Sequence, residues 1–154
     1  MRPTDYLDSQ AILLDLPASD KGRAFSLIAD RLAESRLITD RGRFLDDVLK
    51  REQQGGTAIG RGLAIPHART RALERIVMAM ARLRPAVDFG AEDGEPVRLV
   101  FLLGAPEDKA GEYLKVLGKL SRLLKENGLR KELLKAATPE AVLELLEAAE
   151  SQLS

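Results

Sequence analysis

The sequence contains no cysteine. Disulfides, thiolate nucleophiles and cysteine-ligated metals are thereby excluded. It contains one histidine, so a histidine-rich metal site is excluded as well, and no metal or cofactor is expected. Tryptophan is absent and aromatic residues make up only 4%, which leaves Leu, Ile, Val and Ala to build the core. Charge of one sign is also lacking. The 24 basic and 24 acidic residues cancel, and nucleic-acid binding driven by bulk charge is not expected. No apolar run reaches the roughly 18–20 residues that a membrane helix needs. The opening MRPTDYLDSQ has neither the basic start nor the apolar stretch of a secretory signal. Direct membrane insertion is not expected, and a cytoplasmic location follows. The GxGxxG dinucleotide fingerprint, the GxxxxGK phosphate loop and the GxSxG nucleophile elbow are all missing.

What is present fits one compact domain, residues 1–154, with no internal repeat and no low-complexity linker. Ala11-Ile-Leu-Leu14 reads as a short strand. Ser19-Asp20 and Thr39-Asp40 read as helix caps. Ala24, Phe25, Leu27, Ile28 and Leu32 form the apolar face of the first helix. Phe44, Leu45, Val48 and Leu49 form that of the second, which should run to about Glu52. The two near-continuous apolar runs Ile76–Leu83 and Val97–Leu103 predict strands covered on both faces, joined by turn chemistry over Asp88–Glu95. From Asp108 on, the pattern is helical, with Leu114, Leu117, Leu120 and Leu124 on one face. A break at Asn127-Gly128 precedes a short helix carrying Leu129, Leu133 and Leu134. Thr138-Pro139-Glu140 restarts a final helix, with Thr as cap and Pro at the first position, whose core side is Val142, Leu145, Leu146 and Ala149. Strand, two helices, a block of strands and then helices predict a sheet between helix layers.

Between the second helix and the strand block lies Gly55–His67, which holds Gly55, Gly56, Gly60 and Gly62. That density of glycine means tight turns and close backbone approaches. Ala64-Ile65 reads as a brief strand. Pro66 holds Ile65 extended and cannot donate to a ladder, so His67 should sit where a strand ends. An imidazole with a pKa of ~6.5 is largely neutral near pH 7. If its N–H is held by an acceptor, the other nitrogen becomes a fixed nucleophile. A phosphoryl group on it would need donors. Arg51 can offer a guanidinium, Thr57 a hydroxyl, and the glycine-rich backbone bare N–H groups. Each feature also has an ordinary reading: a structural histidine, an arginine compensating a helix dipole, a loop that only turns. Their combination points to phosphoryl chemistry.

The stretch from Arg51 to Ala68 strongly resembles the active-site segment of the fructose/mannitol-class IIA domains of the phosphoenolpyruvate-dependent phosphotransferase system, a class that includes nitrogen-regulatory IIA proteins. The family pattern is an acidic or amide residue, a spacer, an apolar residue, Gly, and then apolar-Ala-apolar-Pro-His-small. Glu52, Ile59, Gly60, Leu63, Ala64, Ile65, Pro66, His67 and Ala68 fit it in order. The resemblance extends weakly over the whole chain.

It implies an α/β fold, a three-layer α/β/α sandwich with a mixed sheet. It implies that His67 is the phosphoryl acceptor, through Nε2, that Arg51 neutralises the phosphoryl oxygens, and that Thr57 lines the site as a hydroxyl. The donor would be a small histidine phosphocarrier protein. The recipient would be a IIB domain or a regulatory protein. With no fused second domain visible, a nitrogen-regulatory role is expected ahead of sugar transport. Many members carry a second His early in the helix after the last strand; here Tyr113 holds that place, in Tyr113-Leu114-Lys115-Val116-Leu117. Tyr113 can donate a hydrogen bond but cannot be cationic, so a degenerate IIA-like binding module without phosphotransfer is the alternative. The apolar surface near His67, rimmed by Arg61 and Arg69, is the expected docking face.

Overall fold

The computed structural model describes residues 2–153. After a 3-10 turn at Pro3–Tyr6, strand β1 (Leu7–Leu16) leads to helices α1 (Lys21–Glu34) and α2 (Arg41–Gln53). Both helices start on an aspartate. The Asp20 side chain accepts from the Arg23 N–H at 2.8 Å and the Asp40 side chain from the Arg43 N–H at 3.1 Å, each satisfying one donor left open in a first turn. Three short strands follow, β2 (Ala58–Gly60), β3 (Leu63–Ala64) and β4 (His67–Arg69). The long strands β5 (Val77–Val87) and β6 (Val97–Ala105) come next, joined by the turn region 88–96. Helices α3 (Ala110–Leu124), α4 (Asn127–Lys135) and α5 (Pro139–Leu153) complete the chain.

The sheet has six strands in the order β1-β5-β6-β3-β2, with β4 also on β6. It is mixed, as expected: β5 and β6 are antiparallel, while β1 runs parallel to β5, and β3 and β4 run parallel to β6. Helices α1 and α2 pack on each other and on β1, β4 and β5; α3, α4 and α5 pack together and on β1 and β6. The expected three layers are present. Phe25, Phe44, Phe101, Met78 and Met80 are fully buried among Leu, Ile, Val and Ala.

The structure corrects four expectations. Strand β1 covers ten residues rather than the apolar four, because its outer positions lie near the sheet's rim and tolerate Asp8, Gln10 and Asp15. Strand β5 starts at Val77 and continues past Leu83 to Val87. It can do so because the buried Arg82 guanidinium is paired, Nε donating to Asp15 at 2.9 Å and Nη1 to the Leu133 and Ala136 carbonyls at 3.1 and 2.6 Å. In α3, Leu114 is 62% exposed. The buried stripe is Tyr113, Val116, Leu120, Leu123 and Leu124, a rotated version of the leucine stripe. Finally, His67 opens a strand rather than ending one. β3 stops at Ala64, Ile65-Pro66 intervene, and β4 begins at His67 in unchanged register against β6.

Candidate active site

Helix α2 and the line formed by β3 and β4 supply the site. Phe44 and Val48 bury one face of α2, which leaves its last turn at the sheet's edge with Lys50, Arg51 and Glu52. The same helix is tied to the far end of β4. The Thr70 hydroxyl donates to Asp47 at 2.6 Å, and the Thr70 N–H donates to the Ala105 carbonyl at 2.8 Å. His67 therefore sits on a strand fastened to both β6 and α2.

The position of the imidazole is set by its own backbone. Nδ1 lies 2.7 Å from the Ile65 carbonyl oxygen. A carbonyl can only accept, so Nδ1 carries the proton and Nε2 presents its lone pair. The ring is half-buried, and burial holds its pKa below the ordinary 6.5; the Ile65 bond opposes this, Arg51 adds to it, and Glu52 opposes it. The result is a neutral imidazole at neutral pH with one nitrogen committed and the other available.

His67 lines an open cleft of about 860 Å³ together with Arg51, Tyr113, Ala68, Arg69, Arg43 and Lys50, with Asp47 and Glu107 also on its wall. The excess of cations suits an anion that arrives from solution. Arg51 Nη1 donates to the Gly55 carbonyl at 2.8 Å, which steadies the guanidinium while leaving it further donors. The Tyr113 ring is 6.0 Å from the imidazole, tilted by 52°. Burial pushes its hydroxyl pKa up to about 12, with Arg51 and Arg69 acting in the opposite direction. It is thus a neutral hydroxyl.

Residues 5–149 match the family described as "Phosphoenolpyruvate-dependent sugar phosphotransferase system, EIIA 2". The chain belongs to this family. It is 38% identical over 143 residues to a nitrogen regulatory protein of Bradyrhizobium diazoefficiens, covering 93% of each chain. The fructose-specific EIIABC component of Bacillus subtilis is 32% identical over 95% of this chain, but the match spans only 23% of that longer protein. Among solved structures, the nitrogen regulatory IIA protein of Neisseria meningitidis superposes with a TM-score of 0.86 at 33% identity, over 92% of this chain and 97% of that one.

Within this IIA domain, the cleft gathers His67, Arg51 and Tyr113, three of the residues singled out from sequence. Thr57 is not on the cleft wall. It is buried, its hydroxyl donates to Glu52 Oε1 at 2.6 Å, and its N–H donates to Glu52 Oε2 at 3.0 Å. The expected role of Thr57 as a donor to the phosphoryl group does not fit that geometry. Arg69 rims the cleft as anticipated, but Arg61 lies elsewhere, beside Phe89 and Asp93. Sequence reasoning overlooked Arg43, two turns before Arg51 on α2, and Lys50, its immediate neighbour. The eight-residue spacing between Arg43 and Arg51 was the available signal for the first.

Proposed function

We propose that this protein is a phosphocarrier that accepts a phosphoryl group on Nε2 of His67 from a histidine-phosphorylated carrier protein. The observation that carries the reading is the Nδ1 contact to the Ile65 carbonyl, which leaves one ring nitrogen as a nucleophile with a fixed direction. In the step, the Nε2 lone pair attacks phosphorus and a new P–N bond forms. The donor's P–N bond breaks, and its electron pair returns to the donor imidazole. The acceptor ring, now substituted on both nitrogens, gains positive charge, and the Ile65 carbonyl stabilises it through the Nδ1–H. No proton has to move. One P–N bond replaces another, so the exchange is close to balanced and reversible. Catalysis is positioning plus charge stabilisation, with Arg51 and the neutral Tyr113 hydroxyl serving the phosphoryl oxygens.

The output we propose is regulatory: a nitrogen-regulatory type of IIA protein whose phosphorylation state decides which partner it binds. The high identity to the Bradyrhizobium protein, over nearly the full length of both chains, supports this. Adding about −1.5 to −2 charge to the cleft changes which surfaces can dock there. A second reading, transfer to a IIB domain on the way to a sugar, is favoured by the match to the A portion of the Bacillus EIIABC component.

The test is intact-protein mass after incubation with phosphoenolpyruvate, enzyme I and a carrier protein. Wild type gains one acid-labile phosphate and His67→Ala gains none. Labelling of the alanine variant overturns the assignment, since the chain has one histidine. Absence of labelling in wild type favours the IIA-like binding module without phosphotransfer.

A further inference from the structure

The buried Glu52 carboxylate does not touch the cleft, yet it is bound on both oxygens. Oε1 accepts the Thr57 hydroxyl at 2.6 Å; Oε2 accepts the Thr57 N–H at 3.0 Å and the Lys21 ammonium at 3.2 Å. Lys21, in turn, sits 5.8 Å above the Phe89 ring centroid. A side chain that is only 4% exposed needs such partners to offset its loss of water. Compensation alone does not account for the choice of Thr57, which is pinned at both its hydroxyl and its N–H.

The next bonds supply a reason. The Thr57 carbonyl accepts the Ile65 N–H at 3.1 Å. The Ile65 carbonyl accepts Nδ1–H of His67 at 2.7 Å. Ile65 turns its polar groups away from β6. Its neighbour Pro66 offers its carbonyl to the Leu103 N–H at 2.9 Å instead, and Pro66 has no N–H of its own. Ile65, whose carbonyl oxygen holds the imidazole, is therefore located on its open side by Thr57, through the preceding peptide. Thr57 stands between the glycine pair Gly55-Gly56 and Gly60, where the chain has little intrinsic stiffness. Without a clamp, that loop has many conformations.

We infer that Glu52 is a positioning residue for His67, acting through Thr57 and the Ile65 carbonyl to hold the imidazole in the Nδ1–H tautomer with Nε2 facing the cleft. The inference rests on the phosphocarrier reading for its kinetic consequence, but its structural readout is independent of phosphotransfer. Glu52 is not on the cleft wall, and its hydrogen-bond partners are Thr57 and Lys21 rather than the ring. Its contribution is to the fraction of molecules ready to react.

The experiment compares Glu52→Ala, Glu52→Gln and Thr57→Val with wild type at a temperature where each is folded by circular dichroism. The ring tautomer is read from two-bond 1H–15N spectra, which are unambiguous because the chain has one histidine. Wild type shows predominantly the Nδ1–H form at pH 8. Glu52→Ala and Thr57→Val shift the population toward Nε2–H, and phosphorylation by the carrier slows about tenfold at saturation, the scale of one lost charge-assisted hydrogen bond. KM for the carrier stays within about twofold, since no docking residue has changed. Glu52→Gln retains an acceptor for the Thr57 hydroxyl and restores most of both signals. Folded variants with the wild-type tautomer ratio and wild-type rate overturn the inference. If Glu52→Ala fails to fold, Thr57→Val, which removes one hydroxyl and keeps the shape, decides it. Failure of wild type to accept phosphate defeats the functional proposal and leaves the tautomer measurement standing.

Discussion

Strand β6 has two neighbours, and they are unlike. On one side β5 pairs with it antiparallel in one register from Val77↔Gly104 to Arg82↔Leu99, and again at Val87↔Val97 after a register shift. On the other side β3 and β4 pair with it in a single parallel register interrupted at Ile65-Pro66. Seven consecutive residues of β5 are buried, Val77 to Leu83, and Arg82 is the one charged side chain among them. The interrupted side is a sheet edge. β2 reaches only Ala58, opposite Ala64, so beyond that point the edge lacks a further strand. Edges expose backbone groups that must find partners. Here the partners are the Thr57 carbonyl and the His67 ring. The side with the longer continuous ladder supplies rigidity, and the interrupted side supplies an acceptor that orients the His67 ring.

Gly104 lies between these two sides, opposite Val77 of β5 and Ala68 of β4. A Cβ there would come within 2.7 Å of Phe44 Cε1 and 2.8 Å of Leu73 Cδ1. Neither ring nor leucine can retreat far in a filled core, so Gly104→Ala is expected to destabilise by about 1–3 kcal/mol. Thermal unfolding should show a Tm lower by several degrees. An unchanged Tm would mean that α2 floats on the sheet and that the two sides are mechanically independent.

A smaller effect separates the sides by titration, since strand β5 contains no histidine. The folded protein binds a proton on His67 at lower pH than the unfolded chain does, because the folded pKa lies below 6.5. Stability is therefore unaffected by this group well above 6.5. It declines as pH falls from there toward the depressed folded value, and levels below it. Phosphoryl acceptance should persist below pH 6.5 for the same reason. Denaturant melts of wild type and His67→Asn across pH 5–8 check this: the difference between the two curves should slope in that window and flatten above it. A slope of the opposite sign would show that the ring is held as a cation.

The smallest expected effect concerns the cleft wall. Leu114 is 62% exposed, so Leu114→Ala should alter stability by no more than about 0.5 kcal/mol. A loss comparable to that of a core leucine would show that α3 presents the other stripe to the sheet.

That stripe shows how far sequence reasoning reaches. In α3, Leu114, Leu117, Leu120 and Leu124 form one apolar line, and Tyr113, Val116, Leu120 and Leu124 form another. Periodicity identifies the helix but cannot choose between overlapping stripes; packing on β6 chooses. The caps at Asp20, Asp40 and Thr138 were readable because one short polar side chain satisfies a local donor. Strands β5 and β6 were readable because both faces are apolar. β1 was underestimated, since a rim strand mixes polar and apolar positions. At the cleft, the motif pointed to His67 and Arg51, and the wider resemblance pointed to Tyr113. It was silent on the partner of Thr57. The Glu52–Thr57 bonds depend on how a glycine-rich loop folds back on a helix end, which no local pattern encodes. Likewise, Arg61 and Arg69 look equivalent in sequence, and only the direction of the β2–β3 hairpin separates them.

Outside the cleft, Glu150 of α5 accepts the Thr4 N–H at 2.9 Å and the Thr4 hydroxyl at 2.6 Å. The chain thus enters and leaves the domain at one doorway. A unit with adjoining ends can be spliced into a longer polypeptide, or cut out of one, while its interior stays as it was. The Bacillus relative, in which the match occupies 23% of the length, has an architecture that such a doorway permits. The same adjacency makes a short linker joining residues 4 and 150 geometrically feasible, with new ends opened in a surface loop far from the cleft.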